Sequence, residues 1–200
     1  MRVTREQAAE NKARVIKMAA RLFRERGYHG VGLADIMSAA DLTHGGFYGQ
    51  FESKEDLAAQ ACHAANAKSA QVWRGIADAI AADKVSGDLL EALVDQYLSR
   101  KHRDSPATGC AFATVAVDAA RQGGEMRAAF TDGLLPLIEV LEKAVPGRTK
   151  AQRRRTALAK MSELVGAVIL ARAVHDEKLS DAILSSARQD ILALSRQNAG

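Results

Sequence analysis

The sequence predicts an all-α protein. Apolar residues recur at helical spacing in segment after segment, and no run alternates apolar and polar side chains as a half-buried strand would. Only 3 of the 200 residues are Pro, so helices are seldom interrupted. At 200 residues the chain could be one domain or two small ones.

The first helix is expected from about Arg5 to Arg26. Val15, Met18, Ala19, Leu22 and Phe23 form its buried stripe, while Arg14, Lys17, Arg21 and Arg24 lie on another face. Gly27 suits its C-cap. Next comes the most informative stretch, Gly32 to Lys54, GLADIMSAADLTHGGFYGQFESK. Leu33, Ile36, Met37 and Ala40 give a second helix one apolar face, and Asp41-Leu42-Thr43 ends it. Asp tolerates a left-handed turn, and Thr43 is a good N-cap for a further helix holding Gly45, Gly46, Phe47, Tyr48 and Gln50. Ser53 caps the next helix, with a carboxylate three residues later at Asp56. Two helices across a tight turn are the geometry that sets a recognition helix in the DNA major groove.

Charge agrees with that reading. The first 30 residues hold eight Lys and Arg against three Glu, a net of +5, whereas the whole chain is +4. The remaining residues therefore sum to −1. A basic stripe alone is usually a solvated face, but beside a helix-turn-helix it suits phosphate attraction.

A long helix is expected from Lys54 to about Ala82, bending near Gly75. Another should follow Ser86-Gly87-Asp88 and run to about Arg100. His102 to Pro106 reads as a loop, with Ser105 an N-cap and Pro106 the first helical residue of a small-residue helix, Ala107 to Arg121, stopped by Gly123-Gly124. A helix from Glu125 to Ala144 contains Pro136, which should kink it, and Pro146-Gly147 ends it. Two long helices close the chain. Leu158, Met161, Leu164, Val165, Val168, Ile169 and Arg172 line one, and Leu179, Ile183, Leu184, Ala187, Ile191 and Leu194 line the other.

The segment from Val15 to Leu57 resembles the N-terminal domain of the tetracycline-repressor (TetR/AcrR) family. The resemblance rests on the long helix ending in Gly27-Tyr28, the Asp35-Ile36 pair, the turn, and Phe47-Tyr48-x-x-Phe51-x-Ser53-Lys54. His102-Arg103-Asp104, Gly109-Cys110 and the run from Gly166 to Arg172 are similar to a common C-terminal domain of that family. Departures are Asp41, where the family usually has Gly, Val31-Gly32, where it has a hydroxyl that caps and touches phosphate, and Gly49, where a bulky polar residue is common.

The resemblance implies a homodimeric regulator of transcription that binds a double-stranded, palindromic operator and is released by a small-molecule effector. Residues 1–53 would then bind DNA, and residues 54–200 would bind effector and dimerise. The DNA-facing set is Gly32, Thr43, His44, Gly45, Gly46, Tyr48, Gln50 and Lys54. His44 and Gln50 are the polar side chains that could reach base edges, and Gln can pair bidentately with adenine. Gly45 and Gly46 permit close backbone approach. The family uses the Tyr matching Tyr48 on a phosphate, and Lys54 at a helix start suits another. Phe47 and Phe51 are expected in the core.

The effector pocket implied by the resemblance is assigned to Trp73, Tyr97, Cys110, Phe112, Met126, Phe130 and Leu134, although each is more often plain core. The dimer interface is assigned to Leu164, Val168, Arg172, Ile183, Ala187 and Ile191, in a four-helix bundle with two helices from each subunit. Paired half-sites call for twofold dimers, which favours this over a stripe that merely completes a monomer core.

No G-x-S-x-G, no Gly-rich loop after a strand and no carboxylate pair points to an enzyme. Cys62 and Cys110 give neither a disulfide framework nor metal spacing, and no cofactor or metal is expected. His175-Asp176-Glu177 reads as an exposed helix end. No signal peptide or membrane-spanning run is evident, and a reducing cytoplasm fits. Three other readings remain: an oxidant or electrophile sensor acting through Cys110, a nucleic-acid binder indifferent to sequence, and a helical ligand-binding protein that no longer binds DNA.

Overall fold

The structure is a computed structural model that describes residues 4–197, with side chains for residues 4–193. Arg2 and the Leu194 side chain lie outside the described residues. Nine α-helices and no strand are found among these residues: α1 Arg5–Arg26, α2 Leu33–Ala39, α3 Lys54–Ala81, α4 Leu89–Tyr97, α5 Arg100–Asp104, α6 Phe112–Gln122, α7 Gly124–Ala144, α8 Lys150–Ala173 and α9 Glu177–Gln197. The fold is all-α.

The chain forms two compact units. One contains Met1–Ala67 and Pro106–Gly133, the other Lys68–Ser105 and Leu134–Gly200. The first unit thus takes in the start of α3 and a returning segment with α6, beyond the 1–53 expected for a DNA-binding domain.

In the first unit, Thr4 caps α1 by accepting from the Gln7 amide, and Gly27 at φ 71° closes the other end. Val15, Ala19, Leu22 and Phe23 are buried there, and Met18 is half-buried. Arg24 differs from its expected place on a solvated basic face. Its guanidinium turns inward and donates to the Ala107 carbonyl.

The end of α2 is a Schellman turn. Asp41 sits at φ 55°, its amide donates to Ser38 O, and the Leu42 amide donates to Met37 O. An L-residue held in this conformation is strained, and glycine is not. Asp41→Gly is therefore expected to raise the stability of this unit by roughly 0.5–1 kcal/mol in urea unfolding. A loss of stability would mean that the Asp41 side chain contributes something beyond the turn.

Two elements differ from the sequence expectation in the middle of the chain. His102 to Asp104 is helical, because the Ser99 hydroxyl accepts from the His102 amide and starts α5. The next helix begins at Phe112 and not at Ala107. Pro106 to Gly109 closes as a turn, and the Ala107 carbonyl is already taken by Arg24. α3 runs through Gly75 without interruption, and α7 runs through Pro136.

In the second unit α8 packs on α9, α4 on α9 and α5 on α8. Leu90, Leu93, Leu137, Leu141, Leu164 and Val168 are fully buried there. Polar ties set the register. Arg172 donates from Nε to Arg103 O at 2.9 Å and from Nη2 to His102 O at 2.7 Å, so it satisfies carbonyls at the end of α5. Buried Arg103 donates to Ser180 Oγ at 3.0 Å and Asp181 Oδ1 at 2.8 Å, and its hydrogen bonds to Asp104 and then to Asp181 push its pKa further up against the pull of burial. Arg188 on α9 holds Asp95 and Glu91 on α4.

These packings bear on the residues expected at a dimer interface. Leu164, Val168 and Ile191 are 0% exposed within one chain, and Arg172 is spent on α5. Ile183 and Ala187 are half-buried. A helix pair has two apolar faces available, and periodicity alone did not say which one the chain itself covers. The face left open carries Leu158, Ile169 and Leu170 on α8 and Leu179 on α9.

Candidate nucleic-acid interface

α2 and the turn after it position the candidate interface. At the start of α2, Gly32 has no hydroxyl to cap with, and Asp35 Oδ2 instead accepts from the Gly32 amide at 2.9 Å. Val31 is buried, leaving Gly32 exposed.

The expected second helix of the motif is short. His44–Gly46 forms one 3-10 turn, and residues 47–50 continue as turns up to Phe51. Thr43 stands at the N-cap position but makes no side-chain cap bond. Gly45, Gly46 and Gly49 explain this, since each glycine costs a helix interior about 1 kcal/mol relative to Ala. What holds the segment is aromatic packing. Phe47 is fully buried, stacks on Phe51 at 5.4 Å and meets Tyr48 edge-on at 5.2 Å.

That packing leaves an open face. Thr43, His44 and Gly45 are exposed, and the Tyr48 ring is 69% exposed beside His44. Gly46 is half-buried against the Met37 methyl. Gln50 is folded back: its Nε2 donates to Gly46 O at 3.3 Å, while Oε1 is buried without a hydrogen-bond partner. A buried acceptor left unpaired costs about 1–3 kcal/mol.

Lys54 begins α3. Its Nζ donates to Tyr28 O at 2.8 Å and lies 4.3 Å from the Tyr28 ring centroid. Burial lowers its pKa, against opposing pulls from Glu55 and Asp118. Nearby, Ser53 caps α3 by accepting from the Asp56 amide, and Asp56 accepts from the Glu52 amide. Arg14, Lys17 and Arg21 on α1 are exposed, whereas Lys12 lies over the Phe51 ring.

The seven residues assigned to an effector pocket fall into separate groups. Trp73 and Tyr97 are buried in the second unit, 5.9 Å apart, with Trp73 Nε1 donating to Gln96. Leu134 belongs to the same unit and is half-buried. Phe112 and Phe130 meet edge-on at 4.9 Å in the first unit, which also holds buried Cys110 and Met126. Of the seven, Met126 alone lines the small apolar pocket among Ala20, Phe23, Cys62 and Val115. Both cysteines are buried, and burial pushes the Cys62 thiol up to about 11. Neither has the exposure of a reactive thiol. Asp176 caps α9 by accepting from the Leu179 amide, as a helix-end reading of His175-Asp176-Glu177 requires.

Tyr28 entered the sequence reading only as a mark of the helix end and Asp118 not at all, yet they shape this face. Tyr28 N donates to Asp118 Oδ2 at 2.8 Å, and Tyr28 Oη donates to Glu55 Oε1 at 2.7 Å. A signal was there in α6: Asp118 is a lone acid on the same face as the apolar Val115 and Ala119.

Comparison with known proteins finds a likeness in this part of the chain. A family model described as "Bacterial regulatory proteins, tetR family" matches residues 15–61. Over this segment the chain is similar to that family. The chain is also 40% identical over 57 residues to the HTH-type transcriptional regulator TtgR of Pseudomonas putida, covering 28% of this chain and 27% of that protein. It is 36% identical over 56 residues to AcrR of Shigella flexneri, covering 28% and 26%. These matches span only about a quarter of the curated relatives' length. The fold extends the likeness along the chain. The reduced form of E. coli NemR superposes with a TM-score of 0.73 at 19% identity, covering 91% of this chain and 95% of that one. A TetR transcriptional regulator from Chloroflexus aurantiacus gives 0.72 at 24%, covering 94% and 96%. Among the described residues no helix is long and apolar enough to cross a membrane, and no cluster of His, Cys, Asp and Glu could hold a metal.

Proposed function

We propose that the chain is a cytoplasmic, homodimeric repressor of transcription that reads a palindromic operator. The observation that carries this is the open face formed by Thr43, His44, Gly45 and Tyr48 within a tetR-family domain, next to the exposed cations of α1. Each subunit presents this face to one half-site. His44 and Gln50 read base edges, Tyr48 donates to a phosphate, Gly32, Gly45 and Gly46 admit the backbone closely, and Lys54 supplies charge at the start of α3.

Dimerisation is part of the reading. Leu158, Val165, Gly166 and Ile169 recur along one side of α8, and none of them is fully buried by the chain itself. Gly166 has open space where a Cβ would stand, so a second backbone can come close. A stable pair needs about 800 Å² from each partner. A small apolar effector, drawing on the aromatic groups around Trp73 and Tyr97 or Phe112 and Phe130, releases DNA to the extent that it binds the non-operator conformation better.

The test separates charge from base reading. Lys54→Ala is expected to weaken binding about equally on operator and random duplexes and to reduce the salt slope by about 1. Gln50→Ala is expected to change preference at particular base pairs by about 1–3 kcal/mol. Equal loss from Gln50→Ala on every duplex would remove it from the reading set.

A further inference from the structure

Three polar ties join the end of α1 to the segment that returns from far along the chain. Arg24 donates to Ala107 O, Tyr28 N donates to Asp118 Oδ2, and Gln122 meets His29 at 3.0 Å. The middle tie differs from the others because it is buried and anionic. Asp118 is 9% exposed and lies beside Val115 and Ala119, and no salt bridge to a basic side chain is found for it among the described residues. A carboxylate is costly there unless its hydrogen bonds are strong. Gly27 is shaped to it. At φ 71° this glycine leaves room that a Cβ would close to 3.3 Å from Asp118 Oδ2.

The chain of contacts then leads outward. Asp118 fixes the Tyr28 backbone, the Tyr28 carbonyl accepts from Lys54 Nζ at 2.8 Å, and the Tyr28 ring lies under the same ammonium. Tyr28 Oη holds Glu55, the next residue of α3. One ammonium proton is thus committed to Tyr28, and two remain for an external anion.

We propose that Asp118 is a positioning residue for the DNA face: acting through Tyr28, it holds the Lys54 ammonium at the start of α3, where it meets a phosphate. The phosphate contact rests on the function proposed above, whereas the hold on Lys54 does not. α6 thereby has a direct mechanical grip on a DNA-contacting cation 64 residues earlier in the sequence. The carboxylate also attracts that ammonium electrostatically, offsetting part of its burial.

Two readouts on the full-length protein test this. The first needs no DNA: acetylation of Lys54 by acetic anhydride, followed by mass spectrometry and referenced to exposed Lys68. Asp118→Ala should raise Lys54 labelling several-fold toward the Lys68 rate. Asp118→Asn, which keeps an acceptor but loses the charge, should fall between and serves if the alanine variant does not fold. Labelling unchanged in a folded variant overturns the proposal. The second readout is binding to random-sequence duplex across salt. Asp118→Ala should lose about tenfold and about one unit of salt slope, as for one charged contact. The double variant with Lys54→Ala should be no weaker than Lys54→Ala alone. Additive losses would show two independent effects and overturn it. If the wild-type protein binds no duplex, the proposed function fails, and the labelling still decides the role of Asp118.

Discussion

Phe47→Ala is expected to destabilise the first unit by about 3–5 kcal/mol, lowering its thermal midpoint by ~10 °C or more. The reason lies in how little else holds the recognition segment. Between Thr43 and Phe51 there is one 3-10 turn, three glycines and no side-chain cap. The fully buried Phe47 ring, stacked on Phe51, is what fixes the exposed face to the core below it. Removing the ring leaves a cavity beneath a chain with weak helical preference, so the segment loses its shape as well as its stability. DNA binding should therefore fall further than the stability change alone requires. Phe47→Leu should recover most of the stability, because it refills most of the volume. A loss below about 1 kcal/mol for Phe47→Ala would mean that the segment is held some other way.

The second large effect is on assembly. The double change Ile169→Glu with Leu170→Glu should convert the proposed dimer to a monomer by light scattering. It should also reduce operator affinity by at least ~10³-fold, toward the non-specific level. Both positions are exposed in the single chain, 37% and 57%, so the fold should be nearly unaffected. The same change at Leu164 and Val168 would instead unfold the second unit, because those side chains are in its core. A variant that stays dimeric would place the interface elsewhere.

Sequence reading reached the helices whose signals are local. The stripe of α1, its Gly27 stop, the Asp41 turn and the Ser53 cap all follow from single residues and spacing, and each stands where it was expected. It failed where a partner distant in sequence decides. Pro106 to Gly109 closes as a turn whose Ala107 carbonyl accepts from Arg24, and nothing near Ala107 announces that partner. Long apolar stripes on α8 and α9 announced the helices but not which side the chain itself covers, since a stripe does not say whether its cover is the same chain or a second copy. At the candidate interface the exposed positions of His44 and Tyr48 were legible. The inward fold of Gln50 and the hold of Tyr28 on Lys54 were not, because both depend on tertiary packing.

The most direct test of the central claim is selection of bound duplexes from a random DNA pool by the purified protein, read by sequencing. The account predicts an approximate palindrome whose half-sites are spaced by a whole number of helical turns, with binding that survives competitor DNA. Recovery of no motif, with binding that disappears in moderate salt, would contradict it and leave only phosphate attraction to the basic first helix.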